Sequence, residues 1–170
     1  MNRVPIGAGM LLVVLLSPRL WSGRPAAASP EGRGPASASK AVCSASRPNG
    51  GHPPGQPPDR WYHGTHGLWA AMWWTGGTVV VPLRDVQPNG RLYVKVGWWR
   101  ARGSQGRLRI TGHRLDRPAV ALGADISDGY GSSGFQATAL LFPTGGCWQV
   151  TGRAGRGQLT MVMRVLKGHR

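Results

Sequence analysis

Polar and apolar positions alternate with a period of two over much of the second half of the chain, the signature of strands with one face on a core. From Arg91 to Trp99, the residues Leu92, Val94, Val96 and Trp98 point one way, while Arg91, Tyr93, Lys95, Gly97 and Trp99 point the other. Arg107 to Leu115 repeats the pattern, with Leu108 and Ile110 inward and Arg107, Arg109, Thr111 and His113 outward. In the last predicted strand Leu159, Met161, Met163 and Val165 share one face, which should lie against the core.

Between these stretches the chain is punctuated by turn residues. Leu68 to Trp74 and Thr78 to Leu83 are apolar runs of strand length separated by Thr75-Gly76-Gly77, which predicts a first hairpin. Asn89-Gly90 supplies a tight turn into the strand at Arg91. Val120 to Ile126 is expected as a short edge strand, and residues 127–134 as a long glycine-rich loop. Phe135 to Phe142 and Cys147 to Thr151 follow as strands, and Gly155-Arg156-Gly157 turns the chain into its last strand. Outside the N-terminus no window sustains helical spacing. Turn signals about every 8–12 residues predict an all-β fold, an immunoglobulin-like β-sandwich of about seven or eight strands.

The N-terminus has a different pattern. Residues 1–28 carry Arg3, an apolar run from Ile6 to Leu16 and the small-residue end Ala26-Ala27-Ala28, which reads as a secretory signal peptide. An uncleaved anchor and a disordered apolar terminus are the alternatives. Residues 29–60 are rich in Pro, Gly, Ser and Ala and hold almost no large apolar side chains, so a flexible lead-in is expected, fastened by Cys43. Within it, the stretch Arg47 to Gly55 should lie on the domain as irregular loop. The sandwich itself is assigned to residues 61–166.

Composition sharpens this picture in two places. The chain has 2 cysteines, and export to an oxidising compartment would pair Cys43 with Cys147. In the chain-entropy model, closing a loop of about 100 residues stabilises the fold by about 4–5 kcal/mol. Neither cysteine has the spacing of a zinc or redox motif. The formal net charge is +15, a surplus that favours anionic partners: acidic glycans, nucleic acid or the anionic headgroups of a membrane met peripherally. The cations are overwhelmingly Arg, with Lys only at 40, 95 and 167, which is also what a GC-rich genome writes through codon bias.

The run FPTGGCWQVTG followed by QLTMVMRV resembles the closing hairpin of uncharacterised bacterial exported immunoglobulin-like proteins that end in a Phe-Pro-x-x-Gly-Cys-Trp hairpin. GRLRITGHRLD and SDGYGSSGFQATALLFP are similar to the same group, so the likeness spans Cys43 to Val165. It implies a fold and a place at or outside the bacterial envelope, with no reaction attached. Cys43 precedes the first clear strand, so the inter-sheet bridge of antibody domains is not expected. Alternation sets Trp148 and Val150 on one face of their strand and Cys147 on the other, which makes Gly146-Cys147-Trp148 a structural clamp.

If the strands at 91–99 and 107–115 pair antiparallel with Trp99 opposite Arg107, then Gly97 faces Arg109, Lys95 faces Thr111 and Tyr93 faces His113. Tyr93, Lys95, Trp99, Arg107, Arg109 and His113 would then form one basic, aromatic surface, with rings to stack on sugars or bases and cations to meet acidic groups. The function expected is an exported, non-catalytic binding or structural module that contacts an anionic polysaccharide or cell-wall polymer. A nucleic-acid-binding β-domain is the alternative. Trp98 and Trp148 are expected in the core.

Catalysis and metal binding have little material. The chain has 6 acidic residues, too few to suggest a paired-carboxylate site. Ser132-Ser133 with His113 and Asp116 has the residue types of a hydrolase triad, but a domain of this size offers such combinations by chance, and a small hydrolase ranks third. His63-x-x-His66 and the pair Asp125 and Asp128 fall short of a ligand set. No cofactor and no metal are expected.

Overall fold

A computed structural model describes residues 43–58, 61–65 and 67–169, all within one compact unit spanning residues 38–170. The expected signal peptide and the first part of the lead-in lie outside the described residues, as does His66.

The described residues form nine strands: β1 Tyr62–Thr65, β2 Leu68–Ala71, β3 Thr78–Val81, β4 Leu92–Arg100, β5 Arg109–Arg114, β6 Gly123–Ile126, β7 Gly134–Phe142, β8 Gly146–Ala154 and β9 Gly157–Lys167. They make two sheets, one in the order β1-β2-β4-β7-β6 and the other in the order β3-β9-β8-β5. Setting β1 and β3 aside, β2-β4-β7-β6 opposite β9-β8-β5 is the strand order of an immunoglobulin constant-type sandwich. The strand β3 adds to it by pairing parallel with β9, whereas every other pairing is antiparallel. The count exceeds seven or eight because the first edge of the sandwich is shared among three short strands.

Two expected pairings do not form. The runs at 68–74 and 78–83 belong to different sheets, so they are not a hairpin. Gly76 and Gly77, at φ 63° and 73°, lie in the short 3-10 turn between them and hand the chain from one sheet to the other. The strands β4 and β5 are likewise in opposite sheets: β4 lies between β2 and β7, and β5 pairs with β8. The inward residues of both strands are as the alternation indicates. A period of two says which side chains meet the core, but it is the same whether two strands sit side by side or face each other across that core.

The core is filled chiefly by β4, β7, β8 and β9. Trp98 and Trp148 are completely buried, as are Leu68, Met72, Leu140, Phe142, Met161 and Met163. Trp98 lies over the backbone of Gly152 on the facing sheet: a methyl group there would stand 2.7 Å from Cη2 and 3.1 Å from Cε3 of the indole. Its Nε1 donates to Thr138 Oγ1 at 3.2 Å, and the Thr138 hydroxyl donates to the carbonyl of Val96. The buried indole N–H therefore has its partner within the same sheet. Phe142 meets Trp148 edge to face, with ring centroids 5.5 Å apart.

Cys43 and Cys147 are bonded, with Cα atoms 5.5 Å apart. From there the lead-in follows the edge of β9 that β3 leaves open: Ser46 N–H donates to the Val162 carbonyl at 2.8 Å, and Val162 N–H donates to Ser46 Oγ at 2.9 Å. Asn49 then holds β1, with Nδ2 donating to the Gly64 carbonyl and Oδ1 accepting from the Gly64 N–H. Residues 43–49 thus have backbone and side-chain anchors besides the disulfide.

The Phe-Pro-x-x-Gly-Cys-Trp segment is a junction of three supports. Trp148 Nε1 donates to the Thr144 carbonyl at 3.1 Å, and Leu115 N–H donates to the Cys147 carbonyl at 2.8 Å. Arg114 forms a bidentate pair with Asp116 and donates to Thr144 Oγ1 at 2.8 Å. Its guanidinium lies directly against the backbone of Gly146, at φ 145°, where a Cβ would collide with it. A side chain at 146 would displace that arginine.

Candidate ligand-binding surface and pocket

The residues expected to form one basic aromatic surface are divided between the two outer faces of the sandwich. Tyr93, Lys95 and Trp99 lie on the outside of the β1-β2-β4-β7-β6 sheet. Arg109 and His113 are exposed on the opposite sheet, where Arg109 pairs with Arg153 and His113 with Gln149 across β8. Arg107 stands in the connection before β5, with its Nη2 3.6 Å from Asp128 in an exposed ion pair. The single six-residue surface is therefore not assembled, because its two halves are on sheets that face away from each other.

The half carried by β4 has aromatic neighbours that strand-by-strand reading does not supply. Trp99 pairs with Trp69 on one side and Phe135 on the other. Its ring lies 4.5 Å from that of Phe135 and 5.5 Å from that of Tyr62, and Tyr130 continues the series at 6.1 Å from Phe135. Trp73 is 53% exposed beside them. The strip has a backbone floor, since Ala71, Gly97 and Ala137 occupy one row across β2, β4 and β7. A methyl at Gly97 would stand 2.7 Å from the Phe135 ring and 3.4 Å from that of Trp73, so the two rings can lean over the strand only because position 97 is glycine. The exposed Lys95 lies on the same face, next along it from Gly97. Flat rings with a flanking ammonium group can stack on sugar faces and meet an anionic substituent.

At the Tyr130 end the strip runs to a cavity of about 340 Å³ between the connection 101–108 and the loop 127–133, with Arg100 and Gln136 among its lining residues. Arg100 is the last residue of β4 and stays in the inward phase set by Leu92, Val94, Val96 and Trp98, so its guanidinium is carried into the end of the core. The residue as a whole is only 5% exposed. Nη1 donates to the Gly106 carbonyl at 2.9 Å and Nη2 to the Gly131 carbonyl, while Nε has no partner. No carboxylate lies within ion-pair distance of it among the described residues. Burial lowers its pKa from the ordinary arginine value, but a guanidinium keeps its proton, so the positive charge remains.

Gln136, on β7 in the same inward phase, is the diagonal neighbour of Arg100, because β7 pairs Gln136 with Trp98 and Gly134 with Arg100. Its Nε2 donates to the Ser127 carbonyl at 3.0 Å, and its buried Oε1 has no partner. Neither residue belongs to the surface expected from the sequence. A signal was present: a charged and an amide side chain at core-phase positions of strands otherwise apolar on that face.

The other candidates are not assembled. His63 Nδ1 is 2.7 Å from the Arg47 carbonyl, and no group of three His, Cys, Asp or Glu side chains among the described residues could hold a metal ion. Ser133 precedes β7 at the Arg100 end of the sandwich, whereas Asp116 is held by Arg114 at the opposite end, beside Thr144. The pairing to Arg114 holds the Asp116 carboxyl down at about 2, so that carboxylate is committed to structure. No helix among the described residues is long and apolar enough to cross a membrane. A scan against protein-family models and a comparison with curated protein sequences return no match.

Proposed function

We propose that this chain is an exported, non-catalytic binding module of the bacterial envelope that holds an anionic polysaccharide or cell-wall polymer along the outer face of the β1-β2-β4-β7-β6 sheet. The observation that carries the reading is the strip of Tyr62, Trp99, Phe135 and Tyr130 with Trp73 exposed beside it, in a chain of net charge +15. Tyr62 is buried behind the strip and Trp99 is half-buried, so the exposed ring surface is that of Phe135, Tyr130 and Trp73, and apolar rings left open together on one face mark a contact surface. The Cys43–Cys147 bond supports an oxidising destination. Lys95 replaces the larger cationic cluster expected from the sequence, and Arg109 and His113 have no part in the site.

Gel affinity electrophoresis through polygalacturonate, with a neutral glucan as control, tests this directly. Retention by polygalacturonate should fall about 5–10-fold in Trp73→Ala and Lys95→Ala, the loss expected for one stacking or charge contact of about 1–1.4 kcal/mol. Arg109→Ala and His113→Ala, on the far sheet, should run as the parent protein. Equal losses from both faces would point to non-specific charge attraction and sink the assignment, as would tighter binding to single-stranded DNA than to polygalacturonate.

A further inference from the structure

We infer that the cavity at the Arg100 end is a subsite for one sugar-acid residue, with the ligand carboxylate on the Arg100 guanidinium and an adjacent ligand hydroxyl donating to Gln136 Oε1. This rests on the polysaccharide reading for its biological ligand, but the pocket is argued from its own groups. Arg100 is only 5% exposed as a residue, and its guanidinium, bonded only to two neutral carbonyls, is a buried charge without a counter-charge, a costly arrangement that one carboxylate would relieve. Beside it is an acceptor, Gln136 Oε1, equally buried and equally unpaired. An inorganic anion such as sulfate satisfies the first group and not the second. A carboxylate with a hydroxyl next to it satisfies both.

The walls agree with a sugar ring. The hydroxyl-bearing Ser127 and Ser132 line the cavity along with Tyr130, whose ring continues into the strip through Phe135. The volume of about 340 Å³ is at the small end of the range for small-molecule sites, enough for one ring and not for several. Asp128 also lines the cavity; its carboxylate is highly exposed and engaged by Arg107. A second negative charge on the ligand would be brought towards it, so a singly charged acid fits better than a phosphate dianion.

Arg100 also joins the two loops on either side of the cavity, so its removal could unfold that end of the domain for purely structural reasons. The test therefore uses Gln136→Glu, which gives up the hydrogen bond from Nε2 to the Ser127 carbonyl but offsets that loss with an internal carboxylate beside Arg100 and keeps the side chain's size. Glucuronate, glucose and inorganic phosphate are titrated into the full chain while the Arg100 Nε–Hε resonance is followed by NMR. Glucuronate should shift that resonance saturably, glucose and phosphate should not at equal concentration, and Gln136→Glu should weaken glucuronate binding at least tenfold while its melting temperature stays within about 3 °C of the parent. An unmoved Arg100 resonance would overturn the subsite, even if polygalacturonate retention on the sheet persists. Phosphate binding as strong as glucuronate would overturn the sugar-acid assignment. Glucuronate binding without any polygalacturonate retention would leave the subsite standing and remove the polymer reading.

Discussion

Gly152→Ala is the sharpest test of the packing at the centre of the sandwich, because one methyl group must enter space that Trp98 already fills. The new Cβ would press closest on Cζ3 of the indole and stand 2.7 Å from Cη2 and 3.1 Å from Cε3, where ordinary carbon contacts begin at about 3.5 Å. Cζ3 sets the displacement, and the ring must retreat by about 1 Å. Its Nε1–Thr138 hydrogen bond is already 3.2 Å long, so the retreat breaks or weakens it. Overpacking costs about 1–3 kcal/mol and a lost hydrogen bond about 1 kcal/mol, while the lower unfolded-state entropy of alanine returns about 0.5 kcal/mol. The net destabilisation is about 2–3 kcal/mol, a lowering of the melting temperature by about 10 °C for a domain of this size.

The assay is thermal and urea unfolding of four proteins: parent, Gly152→Ala, Trp98→Phe and the double variant. Trp98→Phe removes the part of the indole that meets the new methyl, so the double variant should be at least about 1 kcal/mol more stable than the sum of the single losses requires. Additivity within about 0.5 kcal/mol would show that the methyl and the indole do not meet, and the account of the core would fail.

Three further outcomes follow from the clamp and its surroundings. Reducing the Cys43–Cys147 bond, or replacing both cysteines by alanine, should lower unfolding stability by about 4–5 kcal/mol through the loop of 104 residues it closes; coincident urea curves for oxidised and reduced protein would refute this. Asp116 is ionised more readily in the folded protein because of the Arg114 hydrogen bonds, so its contribution is complete above the unfolded carboxyl pKa of about 3.9 and is lost as pH falls through about 2. Its carboxyl is partly exposed, so solvent screening limits that contribution to about 1 kcal/mol, and Asp116→Asn should flatten the stability profile across that window. Gly146→Ala should displace the Arg114 guanidinium and cost about 1–2 kcal/mol, with the Asp116 titration seen by NMR moving back up towards the ordinary carboxyl range; an unmoved Asp116 pKa would show that the guanidinium does not depend on the bare backbone at 146.

What the linear sequence determined is local. Alternation placed Leu92, Val94, Val96 and Trp98 inside, and Leu159, Met161, Met163 and Val165 likewise, because a strand has only two faces and water selects between them. Turn chemistry marked the closing hairpin at Gly155, which has φ 53°, and the even cysteine count matched the bond that forms. Neighbourhood was decided only by the tertiary structure. Whether β4 lies beside β5 or across the core from it leaves every side chain in the same phase, so the sequence could not choose between them. That choice separates Lys95 from Arg109 by the full thickness of the sandwich and gathers Tyr62, Phe135 and Tyr130 around Trp99 instead. The same holds for the pocket. Arg100 and Gln136 are core-phase positions that stand out in the sequence, but only the pairing of β4 with β7 makes them neighbours, and only the loops at 101–108 and 127–133 wall an open pocket beside them.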